Sequence, residues 1–333
     1  MHARSLALLA AAALIAGGCS FLQDVTTRLP GPRLYERGAE IIGDLRAFEQ
    51  RIGFSETDNF QDLSRETESY PFCGFVSHFK LPYSYEDPVI RWEDVATEAD
   101  CRQLAGPGMD VYFGQTEALG EEGTPVTTSM LAGSLVRFIY LVIHEDCHDQ
   151  FDLPQGIEEA LCNVLTYHAM VAYAEDRQKS GFLQRVAIRR YVELESAHTR
   201  TAKTYYEQLE QLYRRYDRGD LAGEALLAER ARLFAVAERL LGQERGSLNN
   251  VGIANDMTYS RHFPELEGVF LALGRDLRRT VLFFRKVDAI KPSRESVMRQ
   301  RKLRKHQEIE LIRAYEAAVL ETIRKSLAEE LKK

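Results

Sequence analysis

The 333-residue chain lacks several features that mark common classes of protein. It has no internal repeat and no long low-complexity segment, so repeat architectures and long disordered tracts are excluded. It has no excess of basic residues. Its net charge of −7 argues against nucleic acid as a general partner. It also has no apolar run long enough to span a bilayer. The 45% hydrophobic and 28% charged content is that of an ordinary globular protein.

Histidine is scarce as well, with eight residues in the chain, so a pair at a meaningful spacing is informative. His144 and His148 stand four residues apart, and on a helix both imidazoles would project from one face. Apolar residues at helical spacing lead directly into this segment, which predicts a largely buried helix. With Glu145 the segment has the His-Glu-x-x-His arrangement, in which two neutral imidazoles bind zinc. The alternative is a pair of core histidines with ordinary hydrogen-bond partners.

A catalytic zinc ion needs a third protein ligand and one open coordination position. Glu159, which follows Pro154 at the start of a second predicted helix, is the predicted third ligand. We interpret its neighbour Glu158 as complementing the helix dipole. Glu145 is then predicted to act as general base toward a zinc-activated water that attacks a peptide carbonyl.

These residues resemble the predicted-aminopeptidase family of bacterial envelope proteins, a small gluzincin-type group of zinc peptidases. In that family a helix with the pattern aromatic-Asn-Glu-x-x-Ala follows the histidine helix, and Ile157–Cys162 occupies that place. The resemblance therefore also implies Glu159 as a ligand. Gluzincins often have an aspartate four residues after this glutamate. Here the position is Asn163, which we expect to be a weaker, neutral partner of a ligand imidazole.

A second motif of the family follows about a hundred residues later. The family carries an Asn-Asn element, then a tyrosine, then a proline, and Asn249, Asn250, Tyr259 and Pro264 match this order. The resemblance implies that Tyr259 hydrogen-bonds the oxyanion, with His262 in reserve. A merely packed tyrosine is the alternative. The two asparagines are expected either to line the substrate cleft or to cap and turn the chain.

Substrate recognition is predicted from the segment before the histidine helix. Met109–Phe113 is predicted to be a strand, and in gluzincin-like enzymes an edge strand in this place pairs with the substrate backbone. Tyr112 is the candidate substrate-binding residue, although a purely structural strand explains the pattern equally well. Exopeptidase action would require an acidic group for the α-amine of the substrate. Glu117 and Glu158 are the candidates for that group.

The beginning of the chain has the features of a secretory signal. Residues 1–18 combine a weakly basic start with a short apolar run, and the following Cys19 completes a segment that resembles a lipobox. Residues 19–33 are then a tether. Ser20 favours, by resemblance to Gram-negative lipoproteins, the periplasmic face of the outer membrane. An ordinary cleaved signal and a retained anchor are the alternatives.

An oxidising periplasm permits disulfides among the four remaining cysteines. Cys73 and Cys101 flank a predicted loop-and-strand region and are the preferred pair. Cys147 and Cys162 are interpreted as small buried residues near the metal, with a bridge between the two helices as the alternative.

The predicted fold is α+β and predominantly helical, with a gluzincin-like zinc-peptidase domain over residues 34–290 that includes a small N-terminal sheet. Thr127 and Thr128 are predicted to cap the helix of the two histidines. His168 and His198 are interpreted as ordinary polar-face or core residues. Residues 291–333 are predicted to form one long amphipathic helix with a solvated basic face. An envelope protein or anionic lipid is the secondary interpretation of that helix.

The predicted function is hydrolysis of peptide bonds by a zinc-dependent peptidase, with aminopeptidase action implied by the family resemblance. The rival is a catalytically inactive envelope lipoprotein that keeps the same frame as a scaffold or binding module. The presence of Glu145 favours the enzyme, because a scaffold does not need a base beside the metal.

Overall fold

The computed structural model describes residues 32–64, 69–118, 123–176 and 182–332. The predicted signal peptide, Cys19 and nearly all of the tether lie outside the described residues. The described chain is predominantly helical and contains one small antiparallel sheet, which confirms the predicted α+β class. Among the described helices, none combines the length and the apolar composition that crossing a bilayer requires.

The elements follow one another in an order that places the sheet first and most of the helices after it. The elements, in chain order, are α1 (Pro32–Ile52), β1 (Tyr70–Ser77), β2 (Arg91–Glu93), α2 (Glu98–Ala105), β3 (Met109–Thr116), α3 (Thr128–Ala132), α4 (Leu135–His148), α5 (Gln155–Asp176), α6 (Phe182–Asp217), α7 (Gly223–Leu241), α8 (Asn250–Ser260), α9 (Phe263–Ala272), α10 (Leu277–Ile290), α11 (Arg294–Gln300) and α12 (Glu308–Glu330). The strand order is β2-β1-β3, so β3 forms one edge of this sheet.

β3 extends beyond the predicted strand because Gly114 continues the ladder instead of ending it. Its full length pairs antiparallel with β1, from Tyr70 opposite Thr116 to Ser77 opposite Met109. The ring of Phe72 lies over Gly114, and a Cβ atom there would come within 2.3 Å of the ring. Glycine is therefore required at this position by a close approach rather than by a turn.

The main core surrounds α4, where nearly every side chain from Val136 to Cys147 is buried. Apolar residues of α1, α5, α9, α10 and α12 pack into the same core. A second apolar cluster lies between α6, α7 and α8. The histidine helix thus sits at the centre of the molecule, where its side chains are held by packing on several sides.

The C-terminal segment differs from the single helix predicted for residues 291–333. It forms α11 and α12, with a break in which Lys302 adopts a left-handed conformation at φ 53°. Like charges at residues 301, 302, 304 and 305 disfavour a continuous helix there, and these side chains are exposed as predicted. Val319 and Ile323 of α12 are fully buried in the main core, so the apolar stripe is covered by the chain itself.

The predicted cap of the histidine helix is also wrong. Thr127 caps the short helix α3, whereas α4 begins at Ser134, whose hydroxyl accepts a hydrogen bond from the Arg137 amide at 3.1 Å. Gly133 ends the first helix and separates the two, so the cap belongs to the nearer serine.

The described residues contain two disulfides. The first is the preferred prediction, and the second was predicted only as an alternative. Cys73–Cys101 connects β1 to α2, with 5.7 Å between the Cα atoms, and confirms the predicted pair. Cys147 and Cys162 are also bonded, with 5.6 Å between their Cα atoms, so their interpretation as separate thiols is wrong and the alternative of an interhelical bridge is right. This second bond ties α4 directly to α5.

Replacing both Cys147 and Cys162 by alanine is expected to lower the free energy of unfolding by about 2–4 kcal/mol, because the bond restricts the unfolded chain. Urea unfolding would measure this loss. The matched control replaces Cys73 and Cys101, whose bond closes a loop of 28 residues against 15. We expect the control to lose at least as much stability yet to leave the packing of α4 on α5 unchanged, because Cys73–Cys101 connects β1 to α2 instead. An unchanged urea midpoint in the first variant would contradict the prediction.

Candidate metal site

The candidate metal site forms where α4 ends and α5 begins. His144 and His148 lie on the last two turns of α4, and Glu158 and Glu159 lie at the start of α5 after a short connection. Glu158 fixes that connection, because its Oε2 accepts a hydrogen bond from the Leu153 amide at 2.8 Å. The local chain path thus brings the two imidazoles and the second glutamate to one point.

Three ligand atoms converge there at nearly equal distances. His144 Nε2 lies 3.4 Å from His148 Nε2, and Glu159 Oε2 lies 3.3 Å from each of them. Zinc in proteins is tetrahedral with ligand bonds of about 2.0–2.1 Å, which places its ligand atoms about 3.3–3.4 Å apart. Among the described residues, this is the one group of three or more His, Cys, Asp or Glu side chains that is compact enough for a metal ion. The observed triangle therefore fits a tetrahedral zinc ion.

Hydrogen bonding around His148 points to a cation at the same place. Its Nδ1 lies 2.9 Å from Glu158 Oε1, so the ring donates to that carboxylate. A neutral ring then directs the lone pair of Nε2 toward the carboxylate of Glu159, and two facing acceptors are stable only with a proton or a metal ion between them. Glu158 lies in the first turn of α5, as predicted for a partner of the helix dipole, and its carboxylate also orients the His148 ring.

The acid–base properties of the site follow from this charge arrangement. Burial alone would raise the pKa of Glu159, but the neighbouring His148 and the hydrogen bonds with both rings lower it to about 2. Burial works to lower the pKa of His148, and the carboxylates of Glu159 and Glu158 outweigh it and raise that pKa. Glu159 is therefore ionised at neutral pH, as a zinc ligand must be, and a metal ion would compete with the proton on His148.

His144 is positioned by a neighbouring aromatic ring. Tyr140 stacks on it with the ring centroids 5.1 Å apart, and the Tyr140 hydroxyl donates to Asn163 Oδ1 at 2.8 Å. The predicted bond between Asn163 and a ligand imidazole is therefore wrong. Tyr140, one helical turn before His144, lies between them, so Asn163 is linked to His144 through the tyrosine.

A cavity of about 340 Å³ opens beside the triad, and His144, Glu145 and Tyr259 all line it. Glu145 is only 8% exposed, and burial raises the pKa of its carboxyl group. In the described part of the chain, no hydrogen bond or ion pair occupies this carboxylate. The ring of Tyr259 lies 6.4 Å from that of His144, and the charge of Glu159, followed by burial, raises the pKa of its hydroxyl. The structure thus brings the predicted base and the predicted tyrosine to the triad.

Asn250 and Asn249 do not line this cavity. Asn250 is fully buried, and its amide donates to the Lys80 carbonyl at 2.8 Å and to the Tyr213 hydroxyl at 2.5 Å. Its predicted role in substrate binding is therefore wrong. Asn249 caps α8 by accepting hydrogen bonds from the amides of Val251 and Gly252, so the alternative prediction of a cap is confirmed.

His262, the reserve candidate for hydrogen-bonding the oxyanion, has a different partner. Its Nε2 lies 3.0 Å from Glu316 Oε2 of α12, and the Tyr83 hydroxyl donates to the same oxygen at 2.6 Å. All three side chains are buried. They form a polar contact that attaches the C-terminal helix to the main body of the protein.

The residues predicted to contact substrate have other partners. Tyr112 packs against Gly252 and the Phe72 ring, and burial raises the pKa of its hydroxyl to about 12. Tyr112 does not line the cavity, which meets β3 at Thr116. Glu117 forms an ion pair of 2.8 Å with Arg137. Glu158 is bonded to His148, so both acidic candidates for the α-amine already have a partner within the protein.

Three further titratable side chains of the cavity were not predicted from the sequence. Glu195 and His198 of α6 and Asp256 of α8 lie in its wall, although His198 was interpreted as an ordinary residue. These residues are far along the chain from the histidine motif, so no sequence spacing connected them to it. The one available clue was that Asp256 stands three residues before Tyr259, so both lie on one helical face.

Comparison of the chain with protein-family models, with curated proteins and with solved structures found no match. The assignment of a function therefore depends on the chemistry of this site. Its decisive features are the spacing of three ligand atoms and the buried carboxylate beside them.

Proposed function

We propose that this protein is a zinc-dependent peptidase of gluzincin type. The observation that carries the proposal is the triangle of His144, His148 and Glu159, whose ligand atoms are separated by 3.3–3.4 Å. The carboxylate of Glu145, which has no hydrogen-bond or ion-pair partner among the described residues, lines an accessible cavity together with His144 of this triangle. A metal site of this composition with a general base beside it is typical of a metal-dependent hydrolase.

The side chains divide the chemistry among them. A bound zinc ion supplies Lewis acidity and lowers the pKa of a water molecule toward ~7. Glu145 accepts a proton at its carboxylate during attack on the peptide carbonyl and returns it to the leaving amine. The Tyr259 hydroxyl, which keeps its proton at neutral pH, donates a hydrogen bond to the developing oxyanion.

Aminopeptidase action and attachment to the cell envelope through lipidated Cys19 are further parts of the proposal, and both derive from the sequence. In the rival scaffold, the envelope partner would be contacted through the predicted C-terminal helix. Burial of Val319 and Ile323 in the main core leaves that apolar stripe unavailable to a partner. An unpaired buried carboxylate at Glu145 also destabilises a scaffold without benefit.

Metal removal tests the proposal directly. We expect the purified chain to contain one zinc ion, to cleave members of a mixed peptide library, and to lose this activity with a chelator and regain it when zinc is added back. Mass spectrometry of the library and elemental analysis of the protein provide the measurements. A chain that binds zinc but cleaves no peptide would support the scaffold, and a chain without zinc affinity would refute the zinc peptidase.

A further inference from the structure

The cavity beside the triad has an acidic wall that the hydrolytic chemistry does not use. We define this acidic wall as Glu195 and Asp256, which reach the cavity from α6 and α8. The proposed hydrolysis uses the three metal ligands, Glu145 and Tyr259, and none of these residues belongs to the acidic wall. The acidic wall therefore requires an explanation of its own.

Neither carboxylate of the acidic wall is fully satisfied by the protein. In the described residues, no hydrogen bond or ion pair reaches the carboxylate of Glu195, and burial raises its pKa. Asp256 Oδ2 is buried, and among the described residues its partner is His198 Nε2, at the long distance of 3.5 Å. Unsatisfied acceptors in a partly buried place are costly unless a donor from a ligand completes them.

The positive charge nearest to the acidic wall is already engaged. Arg137 lines the same cavity, but its Nε is paired with Glu117 at 2.8 Å and its guanidinium lies 4.9 Å from the centre of the Tyr140 ring. The other basic groups in the cavity wall are His144, which lies 3.3 Å from Glu159, and His198, whose interaction with Asp256 raises its pKa. Since the ion pair of His198 is with Asp256, the carboxylate of Glu195 has no ion-pair partner of its own among the described residues.

Glu145 supplies an independent sign that the cavity receives a ligand. Its side chain is 8% exposed, lines the same cavity and has no hydrogen-bond partner among the described residues. The volume of about 340 Å³ is at the lower end of the range for ligand pockets. Such a space suits the end of a peptide or one side chain, with its charged group close to the reacting carbonyl.

We propose that Glu195, assisted by Asp256, binds an ammonium group of the substrate next to the bond that is cleaved. This inference rests on the proposed peptidase function and adds the chemical class of the substrate. The ammonium group has two sources, the α-amine of a free N-terminus or the side chain of a lysine. An ammonium ion would donate the hydrogen bonds that Glu195 lacks and would give Asp256 Oδ2 a closer donor than His198.

Binding to a protein that cannot turn over separates this inference from the catalytic one. The test uses the zinc-loaded full chain carrying Glu145→Gln and measures calorimetric affinities for three peptides: tetra-alanine amide, its N-acetylated form, and an N-acetylated peptide with lysine in first place. Adding Glu195→Gln is expected to weaken binding of an ammonium-bearing peptide by roughly tenfold and to leave the N-acetylated alanine peptide unchanged. The peptide that loses affinity identifies the source of the ammonium group.

The matched control is Glu193→Gln, two residues earlier on α6 with a side chain 68% exposed, which should change none of the affinities. Asp256→Asn provides a second variant in case Glu195→Gln does not fold, as judged by circular dichroism. Equal affinity losses for all three peptides, or none, would overturn the inference. Wild-type protein that cleaves nothing while Glu195→Gln still discriminates would instead refute only the peptidase proposal.

Discussion

Replacing Glu145 by glutamine is expected to reduce kcat by roughly 10²–10⁴-fold while zinc content stays at the wild-type level. The amide has the shape of the carboxylate but cannot accept a proton, and general base catalysis contributes about this factor. Glu145 makes no contact with a ligand of the triad among the hydrogen bonds and ion pairs of the described residues, so the metal should be retained. Steady-state kinetics on a cleaved library peptide and elemental analysis provide the two measurements.

The matched control for Glu145→Gln is Asp152→Asn, which removes a carboxylate that is 97% exposed in the connection between α4 and α5. It should leave both kcat and zinc content unchanged. If Glu145→Gln kept wild-type turnover, another group would have to be the base. If it lost its zinc, the reduced rate would say nothing about proton transfer.

The metal triad could be predicted from the sequence because its geometry is local. His144 and His148 are one helical turn apart, and Glu159 follows after one short connection, so helix periodicity nearly determines their convergence. The same locality made Cys147 and Cys162 neighbours. Periodicity could not decide whether they were bonded, since that depends on the distance between the two helices.

The acidic wall and the true role of Asn250 could not be predicted, because both depend on contacts between distant parts of the chain. The Asn250 backbone N–H donates to Asp110 Oδ2 at 2.9 Å across a separation of 140 residues, and its side-chain amide donates to the Lys80 carbonyl at 2.8 Å across 170. Arg230 binds both oxygens of the same carboxylate. An asparagine that a motif places near a cleft can therefore belong to a buried polar network, and only the packing of α8 on the sheet reveals it.

The sequence predicts a metal ligand at Glu159 and only a partner of the helix dipole at its neighbour Glu158. In the structure both side chains contact His148. Glu159 directs an oxygen at the point between the imidazoles. Glu158 bonds the far nitrogen of the ring and the Leu153 amide. Since the two side chains differ by one position and have similar burial, they form a natural pair for separating a ligand from the group that orients a ligand.

Glu159→Gln is expected to weaken zinc binding by about a thousandfold, and Glu158→Gln by about tenfold. Zinc affinities of about 10–16 kcal/mol are shared among a few ligands, so losing one anionic ligand costs about 4 kcal/mol. In Glu158→Gln the amide oxygen can still accept a hydrogen bond from His148 Nδ1, and removing an outer partner typically costs 10–100-fold. Titration against a chromogenic zinc chelator measures both. Equal losses in the two variants would mean that Glu159 is not a ligand, and the proposed tetrahedral site would then lack its third protein atom.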